Sequence, residues 1–532
     1  MNRFAVVGVI VLLLLYIHRE YRIYRTLKEF GGPPTTGFSR LWLLIATHSG
    51  KMNLHFGRVN DEHGNTARIG PRFLLTRDPA LIRKMNAVRS PYTRAEWYNA
   101  MRLHPTRDNI SSYRDETIHN RLRTQMSHGV SFSNSLLIYS GKENLYLEND
   151  IDENLMRMFG LIRRKYVSTE SVYKPMNLAR ITTFFTLDVI STVAFGKPFG
   201  FLEIDDDPFE YLKQLHIFLP AIMCFSVYPE VQRLMRLPLM RKLAPQATNV
   251  TGLGKVMGFA RDVVAERFGA NKVIRKDMLG SFLAHGLTQD QLESETVTQI
   301  TAGSDSTATA IRMTLFLITT NASIYSTILS ELLTAQKENR LTRPILRDSE
   351  SRNLLYLQAC IKEGLRLYPP VTGLLAKEVP PQGDIIDGRF VPGGTSIGWN
   401  SWGLMRLHDI FGMDVEVFRP ERWLPGGGQS SEQIEQMNEV VGLAFGYGRF
   451  GCLGKPVAMV ELNKTIAELL LRFTFQVADP AHPFDSTCIG FFLHENMIFR
   501  VAERKGCLDL HQYAPTLNGT GANGNLSASH MD

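Results

Sequence analysis

Cysteine is scarce in this chain. Five occur in 532 residues, Cys224, Cys360, Cys452, Cys488 and Cys507, with no Cys-x-x-Cys pair among them. An odd and scattered set argues against a disulfide framework and against a structural zinc site, and it suits a reducing compartment. No long block of Lys or Arg is present either. The net charge is +7 and the pI about 9.0, so the basic balance points to an anionic membrane or an acidic protein partner. Nucleic acid is set aside for want of any motif that reads it. There is no internal repeat, which excludes a repeat architecture. What is abundant is apolar content, 44% of the residues against 21% charged, ample for a large core.

One continuous apolar run exists at the N-terminus, Phe4 to Ile17. At 14 residues it falls short of the roughly 20 that span a bilayer comfortably. No small-x-small cleavage site follows it, which weighs against the rival reading of a cleaved signal peptide. Arg19, Arg22, Arg25 and Lys28 follow, against Arg3 alone before it. That asymmetry places the bulk of the chain in the cytosol. The expectation is a single-pass membrane anchor over 1–28, a stiff hinge at Gly31-Gly32-Pro33-Pro34, a body over 29–505 and a disordered tail over 506–532, rich in Asn, Gly, Ser and Thr.

Along the body, Ile69 to Leu75 reads as a strand and Pro79 to Asn86 as a helix. Residues 112–145 are charge-dense, and His119 and Arg123 share a helix face there. Residues 145–275 read as mostly helical. Thr288-x-x-Gln291 is a capping box that opens a long helix to about Thr320. Its centre, Ala302-Gly303-Ser304-Asp305-Ser306-Thr307, is unusual, because a mid-helix glycine costs about 1 kcal/mol relative to alanine and hydroxyls bond back to helix carbonyls. Small residues there leave room for something flat beside the helix. Leu354 to Leu367 reads as a helix carrying Glu363 and Arg366 at i, i+3. Ile385 to Ile397 reads as strands with turns at Asp387-Gly388 and Gly393-Gly394.

The stretch that organises these parts is Phe445-Gly-Tyr-Gly-Arg-Phe-Gly-Cys-Leu-Gly-Lys455. A lone cysteine is ordinarily a small buried hydrophobe. Here glycines surround it, and a helical pattern (Val457, Val460, Leu462, Ile466, Leu469) begins just after it. Free N–H groups and the dipole at a helix mouth favour an anion, so the thiol pKa is expected to fall. A thiolate below a flat apolar group is what haem iron takes as an axial ligand.

The pattern Phe445, Gly448, Cys452, Gly454 resembles the haem loop of the cytochrome P450 family. Three further motifs stand in that family's order: Ala302-Gly303-x-Asp305-Ser306-Thr307, Glu363-x-x-Arg366, and Phe418-Arg-Pro-Glu-Arg422-Trp423. The resemblance implies a mainly α cytochrome P450 fold with a small β region. It implies haem b with an axial thiolate from Cys452, in a loop shaped by Phe445, Gly446 and Gly454. His119, Arg123, Lys377 and Arg449 fall where the family meets the haem propionates. Arg449 is one place early, and Phe450 stands where the arginine usually is. Asp305 and Ser306 would deliver protons during oxygen activation, through Thr307 or water. Glu363, Arg366 and Arg422 form a structural triad beneath the loop.

The implied activity is a monooxygenase acting on a small apolar substrate, with electrons from NADPH-cytochrome P450 reductase and from cytochrome b5, at the endoplasmic reticulum membrane. The 80 residues after Cys452 (532 − 452) are expected to be too few for a fused reductase. The loop is most like fungal microsomal members, including the pisatin demethylase-like group, many of which tailor secondary metabolites. Two other classes remain open at this point: an oxygen-independent haem-thiolate isomerase or dehydratase, and a haem-binding sensor or carrier without turnover.

Overall fold

The computed structural model describes residues 3–130, 147–208, 210–235, 237, 244–270 and 272–504. The expected tail 506–532 with Cys507 lies outside the described residues, as do 131–145 of the 112–145 segment and, within 145–275, residues 145–146, 209, 236, 238–243 and 271. Helices dominate, with small sheets among them, the mainly α architecture that the resemblance implies.

Helix α1 (Arg3–Leu27) runs well past the apolar run. Its C-terminal turns dock on the body. Glu20 pairs with Arg72 at 2.5 Å, Tyr24 stacks on Phe38, and Leu27 and Phe30 are buried in the main core. The stretch expected as a hinge packs instead. Gly31 O accepts from Arg68 N at 2.7 Å, and a Cβ on Gly32 would sit 2.0 Å from Arg68 O. The single strand expected over Ile69–Leu75 is a hairpin, β1 (Thr66–Gly70) and β2 (Phe73–Thr76). Pro71 between them has no N–H to continue a ladder.

Helix α2 (Pro79–Asn86) starts where its local signals put it, with Pro at the first position and the Asp78 side chain accepting from Ala80 N. Strand β3 (Thr93–Arg94) and helix α3 (Glu116–Val130) follow. Helix α4 (Leu178–Phe195) is the one helix among the described residues that is long and apolar enough to cross a membrane, yet 94% of it is buried. Its hydrophobicity serves the core, where it packs along the helix of Gln289–Thr319. After α5 (Tyr211–Val227) comes α6 (Gln289–Thr319), opened by both halves of the Thr288/Gln291 capping box. Helix α7 (Leu355–Leu367) precedes β4 (Lys377–Glu378) and β5 (Ser396–Trp399), which complete a five-stranded sheet in the order β1-β2-β5-β4-β3. The pair β2–β5 is parallel and the others are antiparallel. Helix α8 (Lys455–Arg472) and a hairpin of β6 (Asp485–Cys488) and β7 (Phe492–Glu495) close the part that builds the site.

Candidate functional site

Cys452 stands two residues before Gly454, which caps α8. Its N–H donates to Phe445 O at 2.6 Å, closing the loop on itself. Two glycines are obligatory for that shape. Gly446 has φ +76°, and Gly448 has φ +56° with a would-be Cβ 2.2 Å from Asn86 O at the end of α2. The Cys452 side chain is exposed, yet it lies deep enough that desolvation pushes its thiol above the usual value. Both hold for a side chain lining a space inside the fold. The N–H groups of Gly454 and Lys455 and the charge of Arg123 oppose the rise. The helix mouth therefore acts with the expected sign, but the net fall expected from sequence does not occur, because desolvation outweighs it.

Beside the loop lies a concentration of positive charge around the Phe450 ring. Arg449 and Arg94 stand 4.9 and 5.0 Å from its centre, and His119 stacks on it at 5.3 Å. Lys377 is fully buried and also faces this ring. Desolvation pushes its ammonium well below the usual lysine value. Arg123 donates to Gly451 O at 2.6 Å, tying α3 to the loop. Arg449 donates to Ser90 O and Tyr92 O.

His119 is itself neutral. Burial and then the charge of Arg94 push it down to about 3, and its Nε2 lies 3.0 Å from Arg94 Nη2. It therefore supports Arg94 and adds no charge of its own. Glu116 is the carboxylate next to these cations, 3.8 Å from Arg449 Nε, with its Oε1 accepting from Arg94 N. Arg94 Nε, Arg449 Nε and Lys377 Nζ are buried with no hydrogen-bond acceptor among the described residues. Buried donors left unpaired cost about 1–3 kcal/mol each. The cluster thus fits a ligand carrying two carboxylates, as the haem propionates do.

On α6, Ala302 is exposed midway along a helix that is otherwise largely buried. Ser306, one turn on, donates from Oγ to Ala302 O at 2.8 Å. Gly303 does not make room for a ligand: a Cβ there would meet Ile190 of α4 at 3.1 Å, so this glycine lets two helices approach. Ser304 bonds Tyr211 OH of α5 at 3.0 Å. Thr307 is buried. The Asp305 carboxylate pairs with Arg312 at 3.1 Å.

Glu363, Arg366 and Arg422 meet with no exposure at all. Arg366 Nε and Nη2 each lie 2.8 Å from a Glu363 oxygen, and Arg422 Nε lies 2.9 Å from Oε1. Trp423 Nε1 donates to Oε2 at 2.9 Å, a fourth member not evident from sequence. The remaining guanidinium N–H groups reach carbonyls of Met405, Phe411 and Val415. The buried charges are therefore fully paired, the condition under which such a group is tolerated.

A model of the cytochrome P450 family matches residues 34–499. This chain belongs to the cytochrome P450 family. Among its relatives, cytochrome P450 monooxygenase ABA1 of Pyricularia oryzae is 39% identical over 93% of this chain and 96% of the relative. Cytochrome P450 monooxygenase aba1 of Botryotinia fuckeliana is 36% identical over 88% and 90%. Cytochrome P450 monooxygenase abl1 of Leptosphaeria maculans is 32% identical over 84% and 77%.

This cytochrome P450 is accordingly a haem-thiolate monooxygenase, an oxidoreductase with haem b held by a cysteine thiolate. It acts on small molecules and takes electrons from a redox partner. Sequence reasoning missed Arg94, Glu116, Arg312 and His494. Glu116, three residues before His119, and Arg312, seven after Asp305 on the same helix, stood near residues already singled out. The others carried no local signal.

Proposed function

We propose that Cys452 is the axial ligand, and that Arg94, Lys377 and Arg449 hold the propionates, with His119 steadying Arg94 and Arg123 steadying the loop. The observation that carries this is the set of three buried nitrogens with no hydrogen-bond acceptor, Arg94 Nε, Arg449 Nε and Lys377 Nζ, beside an accessible thiol. A coordinating metal deprotonates a thiol outright, which offsets the desolvation that raises Cys452 here. When bound, haem supplies the activation of dioxygen and the transfer of one oxygen atom to the substrate. The chain's own part is to place protons. Ser306 Oγ sits on the accessible face of α6 beside Ala302, with Asp305 as the neighbouring acid and Thr307 behind.

The substrate in this reading is a small apolar molecule. Its support is the apolar cluster of Trp97, Met223, Leu374, Ala376 and Ile489, which borders the basic cluster through Tyr98, 5.5 Å from Lys377. The protein is anchored in the endoplasmic reticulum membrane by the first part of α1 and receives electrons from NADPH-cytochrome P450 reductase and cytochrome b5. It serves fungal secondary metabolism, as its fungal relatives suggest.

The test is reconstitution of the full chain with reductase and NADPH, with product profiling after gene deletion. Wild type should give the reduced carbon monoxide difference band of a haem-thiolate, and Cys452→Ala should lose it. Persistence of the band in Cys452→Ala at normal haem content overturns the ligand assignment. Product formation without NADPH consumption would favour an oxygen-independent isomerase or dehydratase. Cell fractionation of a chain lacking residues 1–28 tests the anchor, since the deletion should shift protein toward the soluble fraction.

A further inference from the structure

We propose that Arg312 is a positioning residue for proton delivery, fixing the carboxylate of Asp305, and that His494 in turn orients Arg312. The proposal rests on the role assigned above to Asp305. Arg312 lies seven residues on from Asp305, two turns along the same face of α6. Its side chain is 1% exposed, and all three guanidinium nitrogens are engaged. Nη2 reaches Asp305 Oδ1 at 3.1 Å and Thr309 Oγ1 at 2.6 Å. Nη1 reaches Thr183 Oγ1 of α4 at 3.1 Å. Nε reaches His494 Nδ1 of β7 at 3.2 Å.

Among the described residues, Asp305 is the carboxylate that balances this buried charge. The clamp therefore joins α6, α4 and β7 at the acid itself. It engages one oxygen of Asp305. The other makes no hydrogen bond to the described residues, and the side chain keeps 16% exposure. One oxygen held and one left open suits a carboxylate that relays a proton, since transfer depends on reach within a narrow range of distance.

His494 is buried and held neutral by desolvation and by the charge of Arg312. A neutral ring accepting at Nδ1 carries its proton on Nε2. The ring is fixed by stacking on Phe492 at 5.4 Å and by edge contacts with Tyr368 and Phe484. The hairpin bearing it turns at Gly490, where an added Cβ would touch Met223 of α5. The guanidinium is thus aimed by a rigid aromatic support, and a substitution in β7 is felt at Asp305 through Arg312.

The experiment uses the haem-loaded full chain with reductase, measuring product and peroxide per NADPH alongside the carbon monoxide band. Arg312→Gln should keep the band while product per NADPH falls about tenfold, the low side of what a placed acid contributes, and peroxide rises to match. Arg312→Lys should recover part of the loss, because it keeps the charge without the fork. His494→Phe should uncouple in the same direction as Arg312→Gln, and His494→Gln should recover part of it through its amide oxygen.

A second readout is independent of turnover. The double variant Asp305→Asn/Arg312→Gln should unfold at a higher temperature than Asp305→Asn alone, because it no longer strands a buried cation. Wild-type coupling in Arg312→Gln with an intact band overturns the proposal, and so do single-variant losses that simply add in the double. If Arg312→Gln fails to fold, wild-type coupling in both Arg312→Lys and His494→Phe overturns it. Absence of the band in wild type would sink the reading of the site itself instead.

Discussion

The ammonium of Lys377 stands over the ring of Phe450, 2.9 Å from its centre. Phe450 stands where the family resemblance implies an arginine, and Lys377 faces it. The ring takes the place of a cationic side chain, and the lysine supplies a charge that the aromatic face accommodates. Lys377 has no hydrogen-bond acceptor among the described residues, so this contact leaves its donors available.

Lys377→Met should therefore fold but retain haem less well, and Lys377→Arg should retain it at least as well as wild type. Haem occupancy after gel filtration, read against protein concentration, checks both. Equal occupancy in wild type and Lys377→Met would remove Lys377 from the cofactor's partners.

Glu363→Ala removes the acceptor of two buried guanidinium groups and of Trp423 Nε1. Leaving such charges uncompensated costs about 3–5 kcal/mol. The variant should be recovered haem-free or aggregated, whereas Trp423→Phe, which loses one neutral donor to a carboxylate, should cost about 1.5–3 kcal/mol and still load haem. Expression level and haem content separate the two. A soluble, haem-loaded Glu363→Ala would show that the pairing is dispensable.

Ser306 directs its proton at Ala302 O, so it must turn away from its own helix to serve as a donor. A serine has more freedom at χ1 than a threonine. Ser306→Thr should hold or raise product formed per NADPH, and Ser306→Ala should lower it with more peroxide released. The measurement is NADPH, product and peroxide in one reconstituted assay, and unchanged coupling in Ser306→Ala would exclude the hydroxyl from proton delivery.

Glu295, buried on α6, accepts from Ile110 N at 2.7 Å. Burial raises its carboxyl from 4.5 to about 8. In the window between those values the folded protein holds a proton that the unfolded chain has released, so this group makes stability fall as pH rises through it and level off above about 8. Glu295→Gln keeps an acceptor for Ile110 without the titration. Its thermal midpoint should vary less with pH across that window than that of wild type, and parallel pH profiles for the two proteins would rule the assignment out.

Much of this molecule is determined by sequence alone, because some signals act between neighbours. The start of α2 at Pro79 follows from Asp78 and the proline, and the start of α6 follows from Thr288 and Gln291. The turn of the Cys452 loop follows from glycines that alone tolerate its φ angles. The motif order likewise announced the family and its haem-thiolate chemistry.

Tertiary structure decided the rest. Arg94 joins the basic cluster beside the Cys452 loop because β3 pairs with β4, 283 residues away (377 − 94). Arg312 meets His494 across a separation of 182 residues. Gly31 to Pro34 packs on β1 because Arg68 offers its N–H there. Cys452 is raised and not lowered because desolvation depends on everything folded around the thiol. Local conformation is written in adjacent residues, whereas burial and long-range pairing exist only once the whole chain has closed.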